Sequence, residues 1–238
     1  MKLSLLDLGI AALAQAPFLE TLLPPLLPNL AYLDLSSNDL TLIDLQPLLL
    51  ICNNLRALNM SSNPRLFEGT DPIPVLACSG LILLDVSFVT VTDETRLSAL
   101  LNNFPALLSL SLESCGLESL KGLSSTNANL LHLVLSDNEI LTADAIDLCP
   151  SLTTLDLREN DIASIPNYRN TILAALPNLA SLDGQFVAAV AAKTEAEVDG
   201  AFARIQAGGA LTDETSALIS EKEFDAAVTG KVDSTAVA

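Results

Sequence analysis

Carboxylates recur at one fixed place along the 238-residue chain. Asp7, Asp34, Asp85 and Asp156 each stand between two aliphatic residues, Asp183 follows a leucine in the same setting, and Asn59, Ser111 and Val134 hold the place in the remaining copies. Such groups serve two kinds of chemistry. A pair sealed in a dry pocket splits into a general acid and a base because one pKa is driven up, whereas a row on a wet face draws cations through its summed field. Partners for the first kind are missing: His132 is the single histidine, no Ser or Cys has a paired base at recognisable spacing, and no glycine loop can cradle a phosphate. The row is therefore read as a binding surface, with no catalytic residue, cofactor or metal expected.

The elements that must present this row follow from the leucines. Leu30, Leu33, Leu35, Asn38 and Leu40 define L-x-x-L-x-L-x-x-N-x-L, and copies start at Leu3, Leu30, Leu55, Leu81, Leu107, Leu130, Leu152 and Leu179, at leucine-rich-repeat spacing. The chain is 50% hydrophobic with no Trp, so the core must be aliphatic. Each L-x-L forms a short strand, and stacked coils make one curved parallel sheet on the concave side, with helical or 3₁₀ turns on the convex side. The expected class is an α/β leucine-rich-repeat solenoid of about eight coils over 1–187. The longer copies leave room for a helical turn, as at 44–55, and the shorter ones favour 3₁₀ turns. Asn38, Asn63, Asn138 and Asn160 read as a structural ladder of buried amides; Ala11, Val89 and Cys115 interrupt it, so weaker pinning is expected there.

The residue between the paired leucines points to the concave face. That gives Asp7, Asp34, Asn59, Asp85, Ser111, Val134, Asp156 and Asp183; Glu113 and Arg158 follow one strand position later, and Tyr32, Leu83 and His132 lie one position before. Like charges spaced along a wet groove repel by about 0.5 to 1 kcal/mol per pair, and a basic guest removes that cost. Tyr32, Leu83 and Phe88 offer apolar anchors, and His132 can modulate the charge. The formal net charge of −18 points to a basic protein or peptide segment and away from direct nucleic-acid contact. Equally, aspartate at this slot can simply keep an exposed strand soluble.

The stretch from Asn167 to Val187 adds a motif. Tyr168 and Arg169 open a helix, and Leu176, Pro177, Leu179, Leu182 and Asp183 close the last coil. This resembles the C-terminal cap of a short-repeat leucine-rich-repeat subfamily that includes acidic nuclear leucine-rich phosphoproteins, the spliceosomal A-prime protein, a phosphatase-regulating relative and an axonemal dynein light chain. The resemblance implies the solenoid fold and a protein-binding role. It departs in lacking an acidic run after the cap and an obvious N-terminal capping segment.

Without that segment the first strand is an open sheet edge, available for self-association or blunted by Lys2 and Asp7. Residues 1–16 can alternatively be read as a signal peptide, against which Asp7 and Pro17 stand. Cys52, Cys78 and Cys149 precede the first leucine of a copy by three residues, and Cys115 fills the Asn slot; these are core positions suited to a reducing compartment, cytoplasmic or nuclear, although Cys52 and Cys78 lie close enough in adjacent coils for a bridge. Residues 188–238 lose the leucine template and read as a helical extension with a frayed end. No stretch is apolar enough to span a membrane. Two functions fit: a non-catalytic adaptor binding a basic segment in an acidic groove, or an obligate structural subunit of a splicing, chromatin or ciliary particle.

Overall fold

The computed structural model describes residues 2–5, 27–76 and 78–187. Among the described residues nine strands follow one another in a single sheet in chain order: β1 Lys2–Ser4, β2 Tyr32–Asp34, β3 Ala57–Asn59, β4 Leu83–Asp85, β5 Ser109–Ser111, β6 His132–Val134, β7 Thr154–Asp156, β8 Ser181–Leu182 and β9 Gln185–Phe186. The first eight are parallel, and β9 turns back antiparallel on β8. In each of β2 to β7 the middle leucine is buried and, except in β5, its two neighbours stay half-exposed. This is the alternation that a strand with one apolar face requires. The middle leucines join the outer leucines of every coil in one continuous core.

The convex side varies with coil length and composition. Helix α1 (Leu42–Leu49) starts on a capping box between Thr41 and Asp44, and α2 (Glu94–Leu101) is capped by Asp93; both lie in longer coils. The shorter coils carry 3₁₀ turns at Ser125–Asn127 and Ile146–Leu148. The coil from Leu55 to Leu81 is long yet has no helix between its strands. Pro64, Pro72 and Pro74 remove amide donors there. Helix α3 (Tyr168–Ala175) opens at the expected tyrosine.

One register differs from expectation. Leu3 pairs with Leu33 and Ser4 with Asp34, so the first copy is shifted by three residues and Ser4, not Asp7, stands in the column of Asp34. Leu5 confirms the shift: it is buried, and its carbonyl accepts the Asn38 amide at 2.8 Å just as Leu35 accepts that of Asn63. The sequence around Leu3, Leu5, Leu6 and Leu8 satisfies either register, which is why spacing alone misplaces it. Asp7 itself, residues 6–16 of the stretch read as a signal peptide and the extension over 188–238 fall outside the described residues.

The ladder binds each coil to the one before. Asn138 donates to Leu112, Leu135 and Ser136 carbonyls at 2.8 to 3.2 Å, and its oxygen accepts the Cys115 and Leu117 amides. Asn63 and Asn160 repeat the pattern. At the Cys115 rung the thiol donates towards Val86 and Glu113 carbonyls at 3.3 and 3.4 Å, a partial substitute for the amide. Burial raises its pKa to about 11.

Just before each rung the backbone is left-handed. Ser37, Ser62, Phe88, Ser114, Asp137 and Glu159 have φ between 52° and 59°, and all but Glu159 pass an N–H to the next coil. The stack closes on a two-residue hairpin, Asp183-Gly184, with φ of 56° and 73°, the conformation that favours Asp-Gly at a primed turn.

Candidate functional site

The concave face is built from three columns set by the strand register. Tyr32, Ala57, Leu83, Ser109, His132 and Thr154 lie side by side, as do Asp34, Asn59, Asp85, Ser111, Val134 and Asp156. Ser36, Ser61, Ser87, Glu113, Ser136 and Arg158 follow two residues beyond the second column. The sheet therefore brings together ten of the eleven predicted binding residues, or places them at its rim. Phe88 is at the rim, 53% exposed, where the chain turns left-handed after Ser87. Asp183 is the exception. It lies in the β8–β9 turn, and its carboxylate accepts the Leu157 amide at 2.8 Å and the Tyr168 hydroxyl at 3.4 Å, so it caps the last coil and leaves the open row.

Most of the remaining polar groups have a local task. Asp34 accepts the Ser36 amide at 3.0 Å and its hydroxyl at 2.6 Å; Asn59, Asp85 and Asp156 likewise accept the backbone amides of Ser61, Ser87 and Arg158. The side chain reaches two residues on and steadies the strand just before its left-handed turn. Sequence reasoning missed this role, though Asp/Asn-x-Ser after a leucine pair was its visible signal. Val134 and Ser111 leave the motif out.

The electrostatics divide the face. At the N-terminal end Lys2 stands 5.4 Å from the centre of the Tyr32 ring, a cation–π arrangement, and at the other end the Arg158 guanidinium grips Asp156 at 2.9 Å. Between them no ion pair to Asp85 or Glu113 occurs among the described residues. Burial pushes the Asp85 carboxyl above the ordinary range, opposed by the Ser87 hydrogen bonds and reinforced by Asp34. Glu113 is raised by burial and then by Asp156, Asp85 and Asp137, with Arg158 opposing. Burial also raises the Tyr32 hydroxyl, helped by Asp34 and Asp85. The middle of the face thus holds anionic groups in a setting that disfavours their charge.

Elsewhere, an apolar hollow of about 170 Å³ lies beside the cap, lined by Leu141, Ile162, Ile165, Tyr168 and Ile172 among others. It offers little for chemistry. Cys52, Cys78, Cys115 and Cys149 are free and buried, and burial drives Cys52 and Cys78 to about 11 and about 12. Among the described residues no cluster of His, Cys, Asp and Glu is arranged to hold a metal ion, and no helix is long and apolar enough to cross a membrane.

The coil template, the parallel sheet and the asparagine ladder define a short-repeat leucine-rich-repeat protein. Residues 148–164 match the Leucine Rich repeat family model. Over 116 residues the chain is 33% identical to acidic leucine-rich nuclear phosphoprotein 32 family member A of Drosophila pseudoobscura pseudoobscura and 32% identical to that of Drosophila melanogaster. The match covers 38% of this chain and 44% of each relative's length. Among solved structures, the functional domain of InlJ from Listeria monocytogenes aligns at 22% identity and a TM-score of 0.45, over 65% of this chain and 30% of that one.

Proposed function

We propose that the protein is a non-catalytic interaction module whose concave sheet face takes a basic protein segment. The observation that carries this is the uncompensated middle of the face: Asp85 and Glu113 lie among other carboxylates with no bonded cation, while the chain's own Lys2 and Arg158 already occupy the two ends. Burial is the larger cause that raises these carboxyls, and the neighbouring carboxylates add to it; a Lys or Arg from a partner offsets that repulsion, and the long-range field speeds its arrival. The relatives share the acidic character by name, and their names place them in the nucleus, which suits a nuclear or cytoplasmic setting for this chain. The net charge of −18 works against a phosphate backbone as the guest.

Reversing charge at Asp34, Asp85 and Asp156 together should abolish capture of a basic partner in a pull-down at low salt, with folding checked by circular dichroism. Undiminished capture by a folded triple variant refutes the groove. A second reading, a subunit held permanently in a larger assembly, draws on the convex side, where Ile43, Leu50, Ile51 and Val75 are 42% to 75% exposed. Contacts of that kind survive high ionic strength, whereas groove binding weakens steeply with salt.

A further inference from the structure

The first column of the concave face is corrugated. Along it the side chains alternate in size from β2 to β7: Tyr32 large, Ala57 small, Leu83 large, Ser109 small, His132 large, Thr154 small. The second column alternates in charge, not in size, at its N-terminal end, where Asp34 and Asp85 stand on either side of the neutral, isosteric Asn59. On β5 the floor is lower still, since Ser109 and Ser111 are both buried. Along this first column the result is ridges on β2, β4 and β6 with troughs on β3 and β5, while in the third column the small, buried Ser36, Ser87 and Ser136 alternate with Ser61, Glu113 and Arg158.

A two-strand repeat measures about 9.6 Å, twice the spacing between neighbouring strands. An extended segment lying across the sheet presents one face every 6.6 to 6.8 Å or so, and an α-helix has a pitch of about 5.4 Å. Neither fits. A polyproline II segment advances about 3.1 Å per residue with three residues per turn, hence about 9.3 Å per turn.

We propose that the concave face is a seat for a left-handed polyproline II segment bearing Lys or Arg at every third position, laid across the strands so that successive cations enter the troughs on β3 and β5. In the β3 trough the cation lies between Asp34 and Asp85. In the β5 trough it meets Asp85 on one wall and Glu113 at the end. The intervening prolines pack on Leu83 and His132 and beside Tyr32, whose ring Lys2 also contacts; polyproline segments elsewhere dock in aromatic-lined grooves. Such a guest arrives pre-formed and loses little conformational entropy on docking. The inference rests on the basic-guest reading above and adds spacing and conformation to it.

The test uses the full chain and three fluorescein-labelled peptides read by anisotropy at low salt: repeats of Pro-Pro-Lys, the same composition with lysines at alternating spacings of two and four, and a Pro-Pro-Gln control. The regular peptide should bind about tenfold more tightly than its rearranged counterpart, and the control should not bind. Filling the troughs with Ala57→Leu and Ser109→Leu should erase that preference, with the fold checked by circular dichroism; leucine already occupies the equivalent position at Leu83. Equal affinity of the two charged peptides for the unaltered protein overturns the spacing inference while leaving the basic-guest reading in place. Absence of binding by either charged peptide overturns both.

Discussion

Two periodic polar columns run the length of the stack, and they differ in what their hydrogen bonds connect. The ladder amides of Asn38, Asn63, Asn138 and Asn160 are buried and reach the coil before. The concave side chains of Asp34, Asn59, Asp85 and Asp156 bond mainly to the residue two places on in the same coil. Since no coil buries its apolar face alone, cooperativity lives in contacts between neighbours, and of these two columns the first supplies nearly all of them, the Ser4 hydroxyl bond to Asp34 at 3.3 Å being the exception. The second is free to serve a guest, because giving up an intracoil bond leaves its neighbours intact.

The sharpest break between the columns is at the ladder. Asn138→Ala removes an amide with five backbone partners, strands them in a dry interior, and should cost about 3 to 5 kcal/mol in urea unfolding. Asp85→Asn keeps the acceptor for Ser87 and should leave unfolding within about 0.5 kcal/mol of the parent, yet weaken capture of a basic segment. A cost at Asp85 equal to that at Asn138 would erase the distinction. At the intermediate rung, Cys115→Val deprives Val86 and Glu113 carbonyls of a weak donor and should cost about 1 kcal/mol.

The smallest effect is one of pH. Asp85 and Glu113 have folded pKa values above their unfolded ones, so within that window the native state holds more protons and stability falls as pH rises. Mild acidification from neutral should therefore raise the thermal midpoint. The gain is complete once pH drops below the unfolded values, and further acidification acts against exposed Asp93, whose pKa the Thr95 bonds hold down. The double variant Asp85→Asn, Glu113→Gln should flatten the rise; an undiminished rise in that variant assigns it to other groups.

The strands over 32–34, 57–59, 83–85, 109–111, 132–134 and 154–156 were legible because a leucine pair two residues apart has one way to bury both side chains, and the four ladder asparagines were legible because the template fixes their distance from that pair. The first copy was not, since four leucines within six residues satisfy two registers and only pairing with β2 selects one. The helical turn expected within 44–55 is part of the helix Leu42–Leu49, and α2 was visible only as coil length. At the candidate site the columns were readable, but the Asp183 capping role was not, because it depends on a hairpin and on Tyr168 from another element. The alternation of ridges and troughs was present in the letters, though it acquires meaning only once neighbouring strands are in register.

The six left-handed residues have an effect on how this chain can drift. Positions 37, 62, 88, 114, 137 and 159 lie at the surface or near it, and by accessibility alone would accept almost any side chain. The positive φ closes them to valine, isoleucine and threonine, whose branching at Cβ collides with the backbone in that conformation; this chain uses none of the three at any of them. A saturation library should therefore show six narrow bands of intolerance, one per turn of the stack, on ground that looks permissive.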